Sequence, residues 1–221
     1  MVRSQWVEII NFKVKMSMKI TERDIEILEF INDFGFCGMP EIEKRFSIKR
    51  PLGYRLLRRL VREGYVSHKR LFYSGYGLYY LTGKGAHCTD LPPIERIAVG
   101  YYDHQVSLIH VYLGLRQRHP DATWTSERRL KHDKFYDGVG KHGHVADGIL
   151  TLADGRKIAI EVELSVKGKN RVERILKNYG AQFSFSEVWY FCSPAVMKVL
   201  TPLVEKMSFI KIYSLSEFLS C

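Results

Sequence analysis

Three carboxylates stand inside apolar runs of the stretch HVADGILTLADGRKIAIEVELSVK, residues 144–167. Asp147 interrupts the first run, and Glu161 and Glu163 lie two positions apart in the second. A buried carboxylate costs free energy unless it is hydrogen-bonded, paired with a cation or bound to a metal ion. Whether these acids form one site therefore depends on how the two runs pair.

The sequence Ala-Asp-Gly at 153–155 predicts a turn between two strands, and two registers fit it. A two-residue turn would place Asp147 opposite Val162, whereas a three-residue loop with Gly155 in the left-handed conformation would place it opposite Glu161. The second register separates the side chains more cleanly, so we expect it. Its apolar face carries Leu150, Leu152, Ile158, Ile160, Val162 and Leu164. Its other face carries Asp147, Ile149, Thr151, Lys157, Ala159, Glu161 and Glu163.

In this register the three carboxylates share one face, with directly opposed side chains about 5 Å apart. Three like charges that close repel one another, so a cation is expected among them. Oxygen ligands of this kind suit Mg²⁺ or Mn²⁺, which would polarise a phosphate and help to ionise an attacking water. Asp147, Glu161 and Glu163 are therefore predicted metal ligands. The alternative is a solvated sheet face on which the acids pair with Lys157 and Lys167.

The first half of the chain predicts three short helices followed by a hairpin. Thr21 and Asp24 form a capping-box pattern at the start of the first helix. Pro40 and Pro51 are suited to open the second and third. Two strands then flank the turn SGYG at 74–77. This is the outline of a winged helix.

The third predicted helix, PLGYRLLRRLVRE, carries arginines at helical spacing on one face. Residues 42–70 hold ten Lys and Arg against two Glu, and the whole chain has a net charge of +10. A solvated helix face is the alternative, but this density favours DNA. The predicted contacts are Tyr54, Arg55, Arg58, Arg59 and Arg62 from the helix in the major groove, and Lys69 and Arg70 from the wing.

The second half predicts the order α-β-β-β-α-β-α-β, which implies a mixed sheet covered on two sides. A long helix is expected over roughly 94–118, a strand near 122–125, and a helix over NRVERILKNYGAQF after the hairpin. Gly and Pro cluster at 83–95, so we divide the chain into domains 1–90 and 91–221.

At its carboxylates the sequence resembles the PD-(D/E)XK nuclease superfamily, whose core is a helix, a three-strand meander, a helix and another strand. The resemblance matches the first family acid to Asp147, in VADG, and the second to Glu161. The lysine position of the family holds Glu163 here, and Glu127, in WTSERRL, matches an acid that some members add.

A substitute is then needed for the lysine that assists the attacking water. Lys167 is the first choice, because it lies on the same strand face as Glu161 and Glu163 if the strand continues that far. Lys157 is the second choice. The resemblance assigns catalytic roles to Asp147, Glu161, Glu163, Lys167 and Glu127.

From roughly Thr21 to Tyr213 the chain, with WTSE, VADG and AIEVELSVK, resembles the replication-relaxation family of plasmids and integrative elements. That implies an α/β (α+β) fold with an N-terminal winged helix-turn-helix and a restriction-endonuclease-like domain. The implied function is a metal-dependent, relaxase-like endonuclease or nickase in replication initiation or mobilisation, acting on double-stranded DNA at a specific site. The alternative is a winged-helix regulator or origin-binding accessory protein with an inactive nuclease-like domain. Winged helices often dimerise, so a homodimer is also expected.

Other polar residues give weaker signals. His132, His142 and His144 with Asp133 and Asp137 fit no zinc-finger spacing, so we expect a polar loop there. His104 is expected between the two halves or in a core hydrogen bond. The thirteen tyrosines include no paired motif for covalent nicking. Scattered cysteines, with no secretory signal and no apolar run of about 20 residues, predict a cytoplasmic protein outside membranes.

Overall fold

The computed structural model describes residues 20–136, 144–168, 175, 179 and 184–219. These residues form a mixed α/β protein with one three-stranded and one five-stranded sheet, as the sequence predicts. Within these ranges, no helix combines the length and apolar character needed to cross a membrane.

The smaller sheet belongs to the N-terminal elements. They are α1 (Glu22–Phe34), β1 (Cys37–Gly38), α2 (Met39–Phe46), α3 (Arg50–Arg62), β2 (Val66–Arg70) and β3 (Gly77–Leu81). The strand order is β1-β3-β2, and both pairs are antiparallel. The capping box is confirmed, since the Asp24 N–H donates to Thr21 Oγ1 at 3.2 Å and the Thr21 N–H donates to Asp24 Oδ2 at 3.0 Å. Strand β1 was not predicted, because two residues carry no readable alternation.

The spacing of Leu52, Leu56 and Leu60 predicts the inner face of α3, and the observed face differs from it by one position. Leu56, Leu57 and Leu60 are buried, but Leu52 is 38% exposed, so its assignment to the inner face was wrong. Gly53 takes that place on the helix. A Cβ built on Gly53 would lie 3.0 Å from the sulfur of Met39, so α2 and α3 approach closely there.

The larger sheet is formed by the second half of the chain. Its elements begin with α4 (Gly83–Ala86), a 3₁₀ turn (Val99–Tyr101), α5 (Tyr102–Arg118), β4 (Thr123–Ser126), α6 (Glu127–Tyr136), β5 (Gly148–Thr151) and β6 (Lys157–Glu163). They continue with helical residues Ile175 and Tyr179, β7 (Glu187–Cys192), a helix (Pro194–Val204), β8 (Ile210–Ser214) and a last helix (Ser216–Leu219).

Two expectations about helices in this half were wrong. Helix α5 begins at Tyr102 and not near residue 94, and a 3₁₀ turn over Val99–Tyr101 directly precedes it. The stretch expected as a polar loop is helical up to Tyr136. Its sequence, ERRLKHDKFY, has no apolar stripe, and arginines make its tertiary contacts. Arg128 donates to Asn32 Oδ1 at 2.7 Å, and Arg129 donates to Asp33 Oδ1 at 2.7 Å.

The predicted hairpin register is confirmed. Strands β5 and β6 pair Gly148 with Ile160 and Thr151 with Lys157, which sets Asp147 opposite Glu161. Gly155 has φ +84°, and the Leu152 N–H donates to the Arg156 carbonyl at 2.9 Å. The loop is therefore the three-residue type with glycine in the left-handed position.

The five strands run in the order β4-β5-β6-β7-β8, with β4, β5 and β6 antiparallel and β7 and β8 added in parallel. On one face Leu150, Ile158, Ile160 and Val162 join a buried cluster that also contains α5 and the N-terminal helices. On the other face Ala159 packs with Val188 and the helix Pro194–Val204. The sheet is thus covered on both sides. The boundary between 90 and 91 stays a prediction, since buried side chains from both sides of it share one cluster.

Candidate functional site

The three carboxylates lie at the end of the β5–β6 hairpin that is remote from the turn. Asp147, Glu161 and Glu163 are all buried. Antiparallel pairing sets the first two opposite each other, and Glu163 follows two positions later on the same strand face. Each carboxylate has its own partner within the protein.

Asp147 is fixed by α5 and by the backbone of β6. Its Oδ2 accepts the Val162 N–H at 2.8 Å and lies 3.2 Å from His104 Nε2. The same nitrogen is 3.1 Å from the Val162 carbonyl oxygen, so both neighbours require a proton on Nε2. Burial lowers the pKa of His104, but the hydrogen bond and charge of Asp147 outweigh it, and the pKa is raised overall. His104 was expected between the two halves or in a core hydrogen bond, and it does form a hydrogen bond, with the first acid.

Glu161 is the most enclosed of the three acids. Its Oε1 accepts a hydrogen bond from the Tyr179 hydroxyl and lies 2.6 Å from His144 Nε2. Burial raises the pKa of Glu161 to about 7, against the opposing effect of His144. The pKa of His144 is also raised, because its hydrogen bond to Glu161 outweighs its burial. His144 therefore belongs to this site and not to a separate polar loop.

The raised pKa values predict that the protein loses stability as the pH rises. A group with a higher pKa in the folded protein stabilises the fold below its unfolded value, and this contribution is lost as the pH rises through the folded value. For Glu161 the window runs from 4.5 to about 7, which corresponds to about 3 kcal/mol. His144 acts in the same direction as the pH rises above 6.5. Relative to wild type, Glu161→Gln should therefore gain about 3 kcal/mol of unfolding free energy between about pH 4.5 and about pH 8.

Urea denaturation at a series of pH values measures this difference. Glu205→Gln is the matched control, because Glu205 is exposed, and it should follow the wild-type curve. Parallel curves for wild type and Glu161→Gln would show that the burial of Glu161 does not perturb its titration.

Glu163 forms an ion pair with Lys167 through Oε1. Strand β6 ends at Glu163, so the premise that the strand continues to Lys167 was wrong. The lysine nevertheless reaches back to the site from the segment beyond the strand. Lys157 is exposed and begins β6, which places it about 13 Å along the strand from Glu161.

Glu127 lies beside the first acid, at the start of α6. Its N–H donates to the Asp147 carbonyl at 3.1 Å, and its carboxylate is 2.5 Å from Lys131 Nζ. Burial and the nearby Glu127 carboxylate raise the pKa of the Tyr101 hydroxyl. The Tyr101 ring stacks on His104 with 4.6 Å between centroids. Tyr101, like His104, was not predicted as a site residue.

The three carboxylates are ligands of the type that a hard divalent cation prefers, and the strand register places them at the same end of the hairpin. They offer carboxylate oxygens from opposed positions of two strands and a third from the same strand, the ligands that Mg²⁺ and Mn²⁺ prefer. The side chains themselves point to separate partners, and among the described residues no three His, Cys, Asp or Glu side chains are grouped as metal ligands. Two members of the weaker histidine and aspartate cluster, Asp137 and His142, lie outside the described residues.

The predicted DNA-contacting residues divide into two groups. Arg55, Arg58, Arg62, Lys69 and Arg70 are exposed, and Tyr54 is half-buried beside them. Arg59 instead turns inward and forms an ion pair with Asp24, whose side chain has no solvent exposure. The arginine pattern of α3 therefore covers two faces of the helix, and Arg59 lies on the inner one.

The Arg59–Asp24 pair predicts a structural role for one arginine of this pattern. Arg59→Ala would leave the buried Asp24 carboxylate without its cation and held only by its hydrogen bonds from Thr21, and loss of one partner of a buried ion pair destabilises a protein by about 3 kcal/mol. Arg58→Ala, the same substitution one position earlier on the exposed face, should change stability by no more than about 0.5 kcal/mol. Urea denaturation of the two variants compares them directly. Equal stabilities would contradict the structural role of Arg59.

The fold and site together define a mixed α/β protein with a buried carboxylate cluster at one end of its larger sheet and a basic helix face beside its smaller sheet. Comparison of the sequence with protein-family models and with curated proteins gives no match.

Proposed function

We propose that the chain is a DNA-binding protein of a mobile genetic element that cleaves or nicks DNA with Mg²⁺ or Mn²⁺, in replication initiation or mobilisation. The observation that carries the proposal is the opposed pair of buried acids, Asp147 and Glu161, with Glu163 two positions further along the strand. Membership of the replication-relaxation family and homodimer formation are parts of the same proposal.

The N-terminal elements support a winged helix. Their order is α1-β1-α2-α3-β2-β3, with an antiparallel sheet in the order β1-β3-β2. In such a fold α3 enters the major groove and the β2–β3 loop contacts the backbone. The exposed arginines of α3 and the exposed Lys69 and Arg70 at the end of β2 are placed accordingly.

The second half supports a PD-(D/E)XK-like core. Helix α5, the antiparallel strands β4, β5 and β6, helical residues Ile175 and Tyr179, and the parallel strand β7 follow that order. One departure is α6, which interrupts the meander between β4 and β5. Because α6 begins with Glu127 next to Asp147, this insertion brings a fourth carboxylate to the site.

Different side chains would serve metal binding, orientation of the ligands and stabilisation of the attacking hydroxide in phosphodiester hydrolysis. Asp147 and Glu161, completed by Glu163, would hold the cation, which when bound polarises the phosphate and lowers the pKa of a water. The His104 N–H donates to the Asp147 carboxylate and orients it. Lys167 pairs with Glu163 and would steady the attacking hydroxide. Incubation with supercoiled plasmid and Mn²⁺ tests the proposal, with open-circular product expected in Mn²⁺ and none in EDTA.

A second candidate is a sequence-specific regulator or origin-binding protein whose nuclease-like domain has lost activity. The observation in its favour is that a glutamate stands at the lysine position and is neutralised by Lys167. This candidate predicts protection of a specific DNA site in EDTA and no plasmid cleavage with either metal ion.

A further inference from the structure

The loop between β2 and β3 exposes aromatic side chains. Phe72 is 40% exposed, Tyr73 is 99% exposed and Tyr76 is 55% exposed. The described residues contain nine exposed large apolar side chains, and two more of them, Val99 and Tyr101, lie in the 3₁₀ turn before α5. Five of the nine thus occupy two short segments, which indicates a binding surface more than scattered exposure.

The loop is in contact with Tyr102, the residue directly after the 3₁₀ turn. The Phe72 ring meets the Tyr102 ring edge-on, with 5.1 Å between centroids. The preceding residue, Tyr101, stacks on His104 at 4.6 Å, and His104 lies 3.2 Å from the Asp147 carboxylate. We call this series of rings, Tyr73, Tyr76, Phe72, Tyr102 and Tyr101, the aromatic track. It connects the β2–β3 loop with the carboxylate site.

The positive charge beside the aromatic track favours a nucleic acid as its ligand. Lys69 and Arg70 are exposed at the end of β2, directly before the loop, and the chain carries a net charge of +10. Exposed aromatic rings beside basic side chains suit unpaired bases, whose faces stack on the rings while the phosphates meet the cations. In a paired duplex those faces are stacked on neighbouring bases, and only the base edges are accessible in the grooves. Protein aromatic rings therefore have much less base surface on which to stack.

We propose that the aromatic track binds unpaired bases and leads that strand to the carboxylate site. The substrate class is then a duplex with an adjoining single-stranded segment, such as a tail, a flap or a melted region. The duplex part would be held by the exposed arginines of α3. This inference rests on the proposed DNA-binding function and names the form of DNA on which it acts.

The test compares a blunt fluorescent duplex with the same duplex carrying a single-stranded thymidine tail, by anisotropy in EDTA so that cleavage plays no part. Wild type should bind the tailed probe at least about tenfold more tightly, since the stacking of a single base on an aromatic ring contributes a factor of about that size. The double variant Tyr73→Ala/Tyr76→Ala should lose that preference and bind the two probes equally. The matched variant Tyr73→Phe/Tyr76→Phe keeps the rings and should keep the preference.

The outcomes separate this inference from the proposed function. Equal binding of both probes by wild type, or equal loss in the Ala and Phe variants, overturns the aromatic track alone. Absence of binding to either probe overturns DNA binding as well. A wild-type dimer that the Ala variant abolishes in size-exclusion chromatography, without any tail preference, would identify the track as an interface between copies and overturn the inference.

Discussion

Glu161→Gln is expected to lower Mn²⁺-dependent plasmid cleavage by about 10³-fold or more. The substitution keeps the shape of the side chain but removes the charge that would hold the cation, and a loss of several kcal/mol of transition-state stabilisation corresponds to that factor. Initial rates of conversion of supercoiled to open-circular plasmid measure it. The wild-type rate in EDTA sets the background.

This substitution is unusual because it should not weaken the fold. Burial raises the pKa of Glu161 to about 7, so the charged side chain is unfavourable at neutral pH and glutamine should be tolerated. Asp154→Asn serves as the control, because Asp154 is an exposed acid in the turn at the other end of the same hairpin. It should cleave at the wild-type rate. Equal activity of all three proteins would mean that any observed cleavage does not arise at this site.

The hairpin that forms the site could be predicted from sequence because local and global signals agree in it. The glycine at 155 marks the left-handed position of a three-residue loop. The alternation of aliphatic and polar residues then selects one register, since a slip by one residue would turn the apolar side chains away from the core. Both signals lie within about twenty residues of chain, so no knowledge of the tertiary packing was needed.

The partners of the carboxylates could not be predicted in this way. His104 contacts Asp147 across 43 positions, and Tyr179 contacts Glu161 across 18. Such contacts depend on how α5 and the helical residues Ile175 and Tyr179 pack on the sheet, which a single sequence does not define. His144 lies only three positions before Asp147, and this proximity could have indicated that it belongs to the site. The prediction of a polar loop for His132 and His144 together overlooked it.

Helix α6 was missed for a related reason. Helix prediction relies on an apolar stripe, and this helix is anchored by polar contacts. Arg128 and Arg129 reach Asn32 and Asp33 on α1, 96 positions away. The arginine spacing of α3 predicted a face that is not there as such, because it grouped Arg59 with the exposed arginines. Arg59 instead pairs with the buried Asp24 on the inner face of the helix.

The exposed arginines of α3 carry the second large prediction. Replacement of Arg55, Arg58 and Arg62 together by alanine should reduce duplex affinity by about 10²- to 10⁶-fold, since direct base contacts of this kind are worth about 1–3 kcal/mol each. It should also lower the slope of log affinity against log salt by about 3, if each arginine also neutralises one phosphate. Fluorescence anisotropy with a duplex over a range of salt concentrations gives both quantities.

The decisive comparison is with a second triple variant that removes the same charge elsewhere. Arg116, Lys198 and Lys206 are exposed and lie on other helices or just after them, and their replacement by alanine also lowers the net charge from +10 by three. A general electrostatic attraction predicts equal losses for the two variants. A groove-bound α3 predicts a large loss for the first only. Because Arg59 pairs with Asp24 and is left intact in both, neither variant disturbs that buried charge, and a difference between them reports the helix face that meets DNA.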